Sequence, residues 1–446
     1  MSRPSYPFEV HSRDVWRIAL PAALAFITEP MVGTVDIAVV GRLGDANLLG
    51  GLVLGALVFD FIFSLAYFLR LGTAGLTAQA IGSRDPRDGL IHICRAVLLA
   101  VAIGLLMIAL SVPLLWVAEA ALAPAPGVRE ALATYFHIRL LAAPFALINY
   151  GLLGWFYGRA AATTGMALQI LIHGVNIVLN ILFVFGFGWG VAGAALGTVL
   201  GEAAAAVLGL YLVARHFGGI RKTLALIVPK ELYDPAALRR IFGLSRDLMI
   251  RSAALMSAYA YFAAQGSRAG EITLSSNAIL LNLMMVSAYF LDGVAQASEQ
   301  LCGKAVGANW RPAFERAAVL AMGWGLVIAT GLALLIFFCG PFVIDVMTTN
   351  APVREAARQF LPLAAISAIV GMPAFVYDGI LTGSTLNGEM RNGMVAGFAI
   401  FLIAANVLQP MLGNSGLWLA LNVLFVSRAA FYFWALERKK AGLFTA

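Results

Sequence analysis

Glu29 and Asp36 stand seven residues apart in an otherwise apolar stretch that also holds Pro21 and Pro30. Seven residues make about two helical turns, so on a helix the two carboxylates share a face roughly 10 Å apart. An ionisable group inside a membrane-spanning helix costs at least ~2.5 kcal/mol, so each one needs a reason to be there. Proline removes an amide donor and frees a carbonyl, which lets a helix bend. A low dielectric disfavours the charged form of a carboxyl and makes proton uptake usable near neutral pH. The chemistry this predicts is exchange of a proton or cation at Asp36, with Glu29 as a second coupling candidate and Pro21 and Pro30 as hinges. The other reading of Asp36 is a solvated or paired carboxylate near an interface, because Arg42 follows six residues later.

A second set is amidic. Gln169, His173, Asn176 and Asn180 are spaced 4, 3 and 4, which stacks them on one helical face among Ile170, Leu171, Ile177, Val178 and Leu179. Facing lipid they would be unfavourable, so they line a polar, substrate-binding cavity or hydrogen-bond a neighbouring helix. Asn149 and Tyr150 are assigned to the same cavity. His173 is either a proton carrier or a hydrogen-bonded packing residue. Later in the chain come Arg251, Asp292, Gln296, Glu299 and Asp378, with the middle three spaced 4 and 3. This second polar network either pairs its charges to hold structure or shares in coupling. Arg251 is its counter-charge, and Arg70 with Asp60 or Glu202 is the corresponding expectation earlier on.

The elements that carry these residues follow from composition. The chain has 446 residues, 61% of them hydrophobic and 12% charged, roughly half the charged fraction of soluble domains. Such a chain has lipid as its solvent, and a spanning helix needs about 20 residues. Twelve apolar segments qualify: 15–40, 48–80, 92–120, 131–157, 165–187, 192–216, 241–266, 273–302, 314–339, 354–384, 394–412 and 416–436. The fold class is therefore all-α, polytopic, with twelve transmembrane helices. Ala66–Tyr67–Phe68–Leu69 returns as Ala288–Tyr289–Phe290–Leu291, and Leu141–Ala142–Ala143 as Leu363–Ala364–Ala365, both after 222 residues. Gln79–Ala80–Ile81–Gly82 resembles Lys304–Ala305–Val306–Gly307. A half-length duplication predicts two pseudo-symmetric six-helix bundles in parallel, a transporter built from two lobes. The lobes are 1–216 and 241–446, joined by a cytoplasmic linker at 217–240.

Charge sets the topology. Arg84, Arg87, Arg159, Arg215, Arg221, Lys222, Lys230, Arg239, Arg240, Lys304, Arg311, Arg391, Arg438, Lys439 and Lys440 fall in alternate loops. Both termini are then cytoplasmic, in a multi-pass protein of the cytoplasmic membrane. The net charge of +7 is spread between apolar segments and does not mark a nucleic-acid surface. Cys94, Cys302 and Cys339 form neither a disulfide framework nor a metal site. The first apolar segment lacks a cleavage site and reads as a retained helix. Gly188–Trp189–Gly190–Val191–Ala192–Gly193 fits G-x-G-x-x-G, but it joins two spanning segments and is a tight turn. Without G-x-x-x-x-G-K-[ST], no nucleotide drives the protein directly.

Val35–Asp36–Ile37–Ala38–Val39–Val40–Gly41–Arg42–Leu43–Gly44 resembles the first-helix signature of the multidrug and toxic compound extrusion (MATE) transporters. Asn176–Ile177–Val178–Leu179–Asn180, followed by Gly190–Val191–Ala192–Gly193–Ala194–Ala195, resembles their fifth-helix signature. The stretch from Phe68 to Ala80, Leu291–Asp292–Gly293 with Glu299, and Asp378–Gly379–Ile380 are similar to the DinF-like branch. The resemblance implies alternating access, with efflux driven by entry of protons or sodium. It makes Asp36 the coupling acid of the first lobe and Asn176 one of its polar partners. Many relatives have Asp where this sequence has Asn180, so a sodium site of two carboxylates is disfavoured and proton exchange is expected. The expected activity is export of amphipathic, cationic organic compounds by a monomer in contact with membrane lipid, with no cofactor and no enzymatic step. The alternatives are a flippase for lipid-linked saccharides, which needs more intramembrane cations than Arg70 and Arg251, and a membrane enzyme or channel.

Overall fold

In lipid the backbone polar groups of a spanning segment must be satisfied within it, so long apolar runs fold as helices. The computed structural model describes residues 4–444, so 1–3 and 445–446 lie outside it, and no strand occurs among the described residues. In the first half α1 is Ser12–Gly41, α2 Ala46–Ala66, α3 Phe68–Gly82, α4 Pro86–Ala109 and α5 Ser111–Leu122. Then come α6 Pro126–Leu140, α7 Ala143–Gly158, α8 Ala162–Ile181 and α9 Gly190–His216. Two short helices follow, α10 Ile220–Leu226 and α11 Pro229–Leu232. The second half holds α12 Pro235–Arg268, α13 Glu271–Gly307, α14 Arg311–Met347, α15 Ala351–Gly383, α16 Asn387–Leu412 and α17 Asn414–Leu443.

Local chemistry sets the starts and breaks. Asp45 caps α2 through the Asn47 amide at 2.8 Å. Asp85 caps α4 through the amides of Arg87 and Asp88, with Pro86 opening the helix. The predicted segment 92–120 is broken at Leu110, where Pro113 has no amide for the Ala109 carbonyl. The predicted segment 131–157 is bent by 52° between α6 and α7, and Pro144 likewise has no amide for Leu140. After α8, Leu182–Gly186 widens into a π turn. Gly188 and Gly190 then take positive φ of 70° and 51°, so the glycine-rich stretch is the turn expected of it.

Ten described helical runs are long and apolar enough to cross a membrane, and the bent pair α6–α7 makes an eleventh. The predicted segment 241–266 lies in α12. Its 34 residues extend about 51 Å, but six charges, from Arg239 and Arg240 to Arg268, keep its hydropathy low. Each of the twelve predicted segments thus has a helical counterpart.

The chain divides into two compact units. One is Met1–Phe26, Ala78–Arg84 and Phe242–Ala446, and the other is Ile27–Thr77 and Asp85–Ile241. This division differs from the predicted lobes: 4–26 and 78–84 group with the second half, and the linker goes with the first. Small residues explain it. A Cβ on Gly293 would come within 2.5 Å of the Ala19 carbonyl oxygen and 2.8 Å of the Ala23 Cβ. A Cβ on Gly82 would run into the Lys304 carbonyl, and one on Gly307 into the Gln79 carbonyl. Repeat-equivalent residues therefore meet reciprocally. Gln79 Nε2 donates to the Gly383 carbonyl at 2.8 Å. Arg84 lies 4.6 Å from the Tyr6 ring and Lys304 4.3 Å from the Phe8 ring. In α1, Pro30 has no amide for the Phe26 carbonyl, and Phe26 is where the unit ends. The core of this unit surrounds Trp418, which meets Phe262 edge-on at 5.1 Å and donates Nε1 to Asn277 Oδ1 at 2.9 Å.

Candidate functional site

The second half of α1, α8 and α9 build one polar chain inside the unit of residues 27–77 and 85–241. The 4-3-4 spacing on α8 turns Asn176 and Asn180 inward, 1% and 0% exposed, while Val178 is 65% exposed. Asp36 is buried beside them at 7%. Asn180 Nδ2 donates to Asp36 Oδ1, and to Asn176 Oδ1 at 3.4 Å. Asn176 Nδ2 donates to Thr198 Oγ1 at 2.7 Å, and Thr198 Oγ1 to the Ala194 carbonyl at 3.1 Å. With both Asp36 and Asn176 offering acceptors, the Asn180 amide is oriented with its nitrogen towards them. Asn180 Oδ1 has no hydrogen-bond partner among the described residues. Gly197 makes the approach of α9 possible, because a Cβ there would run into Asn180 Oδ1. Sequence spacing did not reveal Thr198. Its partner lies on another helix, and the small-residue run around it marks packing only.

The α8 stripe does not act as one piece. Gln169 is buried, and neither its Oε1 nor the ring nitrogens of His173 find a hydrogen-bond partner among the described residues. Asn149 does not join Asp36. Its Nδ2 donates to Glu202 Oε2 at 2.7 Å and to the Glu202 carbonyl at 2.9 Å. Tyr150 packs edge-on to Tyr67 at 5.7 Å and Phe63 at 6.4 Å, within electrostatic reach of Glu29, Glu202 and Arg70. Glu29 is faced by Arg70, Asp60 and Glu202, so it belongs with this second cluster. Arg139 lies within electrostatic reach of both Asp60 and Glu202. Arg139 is thus a further cation near these acids, besides the expected Arg70, and it also reaches Asp36. Sequence analysis did not single out Arg139, which lies in the last turn of α6. The α1 helix runs through both Pro21 and Pro30, and Thr34 Oγ1 donates to the Pro30 carbonyl at 3.1 Å.

In the other unit two guanidiniums converge on one carboxylate oxygen. Arg251 Nη2 is 2.5 Å and Arg428 Nη2 2.6 Å from Asp378 Oδ2. The Arg428 side chain is 1% exposed. Arg251 is therefore the counter-charge predicted, while Arg428 was missed because it lies in the twelfth segment, close to the basic end of the chain. Asp292 lies within electrostatic reach of Arg251. On α13, Gln296 Nε2 donates to Glu299 Oε2 at 2.9 Å. No group of three or more His, Cys, Asp or Glu side chains is arranged to hold a metal ion among the described residues.

The model of the MatE family matches residues 21–182 and again 248–410, once in each half of the repeat. DNA damage-inducible protein F of Escherichia coli (strain K12) is 34% identical over 431 residues, which cover 93% of this chain and 90% of that protein. Multidrug export protein MepA of Staphylococcus aureus (strain NCTC 8325 / PS 47) is 20% identical over 408 residues, covering 91% and 88%. The crystal structure of a MATE protein in its bent conformation matches with a TM-score of 0.88 at 19% identity, covering 96% and 95%; that likeness speaks for the fold. Matched by the family model in both halves, and a third identical to a relative along almost all of its length, the chain belongs to the MATE family: it is a multi-pass membrane transporter and not an enzyme.

Proposed function

We propose that the chain is a proton-coupled antiporter that exports amphipathic, cationic organic compounds across the cytoplasmic membrane by alternating access. The observation that carries this reading is the buried Asp36 carboxylate at the end of a chain of donors from Asn180. Proton exchange changes that group by one charge in a low-dielectric setting, which is a large local effect. Unprotonated, Asp36 accepts from Asn180 and offers a negative charge to a cation. Protonated, it becomes a donor, and Asn180 Oδ1 is a buried acceptor beside it. Loss of the charge would let α1 bend at Pro30, narrow the first-lobe cavity and release substrate outward. Support for a proton over sodium comes from Asn180, which sets a neutral amide beside Asp36 where a second carboxylate would favour a metal ion. Support for export comes from MepA, a multidrug export protein; a cationic cargo is favoured by the negative charge of unprotonated Asp36. Both repeat halves lie in one chain, which suits a monomer with cytoplasmic termini. Glu29, with Asp60, Glu202, Asn149 and Tyr150, is the second ionisable group of the same unit, and Gln169 and His173 extend the polar wall.

Arg251 and Arg428 both engage Asp378, so this reading gives the second-lobe network a structural role. The same pairing leaves little free cationic charge for a lipid-linked pyrophosphate. Dye export from proteoliposomes under separately imposed pH and sodium gradients tests the whole reading. Export is expected with the pH gradient alone; export with sodium alone would overturn the choice of ion.

Gly197→Ala offers a finer test. The added methyl should push Asn180 away from Asp36 and slow pH-driven transport about tenfold, equivalent to ~1.4 kcal/mol, at an unchanged level of folded protein. An unaltered rate would mean that the close approach of α9 serves packing only.

A further inference from the structure

Between α9 and α12 the chain makes an abrupt turn on two left-handed glycines, Gly218 at φ 90° and Gly219 at φ 105°, a conformation other residues rarely hold. The turn lays α10 across the end of α9. Thr223 is buried there, and its Oγ1 lies 3.2 Å from the Ala214 carbonyl oxygen and 3.0 Å from that of Gly219, which fixes the rotation of the helix. At 100° per residue, Ile220 and Leu224 fall about 40° apart on an adjoining face. They are 61% and 64% exposed. Further round come Arg221 and Lys222, both exposed, with exposed Arg215 one turn before the glycines. None of these three cations has an ion-pair partner among the described residues.

The acids of the linker are used elsewhere. Glu231 pairs with Arg87 at 3.0 Å, and its carbonyl accepts from Arg95 at 2.5 Å. Asp234 caps α12 through the Ala237 amide at 3.1 Å. The surface therefore has a protein-facing side, an apolar side and an uncompensated basic side. We infer that α10 with Arg215 is a docking surface for anionic phospholipid: Ile220 and Leu224 enter the acyl boundary while Arg215, Arg221 and Lys222 meet headgroup phosphates. Charge complementarity selects this occupant, because an interfacial helix gains from buried apolar area and from attraction to anionic lipid together.

A seven-residue helix is not stable by itself, so its amide exchange reports docking. The full chain in nanodiscs of phosphatidylcholine is compared with the same chain in equal parts phosphatidylcholine and phosphatidylglycerol. Hydrogen exchange at 221–226 is expected to slow about tenfold in the anionic bilayer, with exchange at 229–234 unchanged. In Arg221→Gln/Lys222→Gln the difference between bilayers should vanish. Inorganic phosphate added to the phosphatidylcholine discs should not reproduce it. Equal exchange in the two bilayers, a difference that persists in the double variant, or protection by phosphate alone would each overturn the proposal.

Discussion

Asp36→Asn is expected to reduce pH-driven dye uptake into inverted vesicles at least about a hundredfold, or ~2.7 kcal/mol, while the protein still folds and reaches the membrane. Asparagine has nearly the volume of aspartate and keeps an acceptor for the Asn180 amide. The polar chain through Asn176 and Thr198 then has no reason to rearrange. What the variant lacks is a proton to gain or lose. Removing a buried charge relieves a desolvation penalty, so thermal unfolding in detergent should be unchanged or raised. The split between lost coupling and retained stability is what distinguishes a coupling acid from a packing residue. Asp36→Glu keeps the proton but inserts a methylene beside Asn180 and should retain partial activity. Full antiport in Asp36→Asn would remove the proposed mechanism.

Asp378→Ala is expected to have the largest effect on stability, a loss of about 3–5 kcal/mol. It would leave the half-buried Arg251 and the buried Arg428 guanidiniums together with their shared carboxylate gone. Arg428→Met is the informative contrast. It removes one charge-assisted hydrogen bond but leaves the Arg251–Asp378 pair, so the loss should be nearer 1.5–3 kcal/mol. Reversible unfolding in mixed micelles measures both. Transport per folded molecule should stay near that of the parent chain in Arg428→Met if the network only holds structure. An Asp378→Ala protein as stable as the parent would show that the two arginines find other partners and that the cluster is not a structural lock.

Much of the architecture was readable before any coordinates, and the reason is the solvent. Lipid demands long apolar helices, so the segments, the duplicated halves and the cost of each intramembrane charge are visible in a one-dimensional pattern. Periodicity within a single helix is equally local. That is why the inward face of α8 at Asn176 and Asn180, and the acid at Asp36, could be picked out from spacing alone. The boundaries of α4–α5 and of α6–α7 were less legible because prolines break helices without ending the apolar run.

Partnership was decided only by the tertiary structure. Whether Asn149 meets Asp36 or Glu202 depends on the rotation of α7 against α9, and no spacing within α7 records it. Thr198 reaches Asn176 because Gly197 lets two helices close to near contact. Arg139 on α6 comes within electrostatic reach of Asp60 on α2 and Glu202 on α9, a meeting of three helices that no local spacing records. Arg428 completes the Asp378 cluster from a helix 50 residues away. Sequence by itself determined which helices exist, which faces turn inward and that α1 carries an acid within an apolar run. Which donors reach that acid, and which charges cancel one another, depended on helix rotations and approach distances set by side chains far apart in the chain.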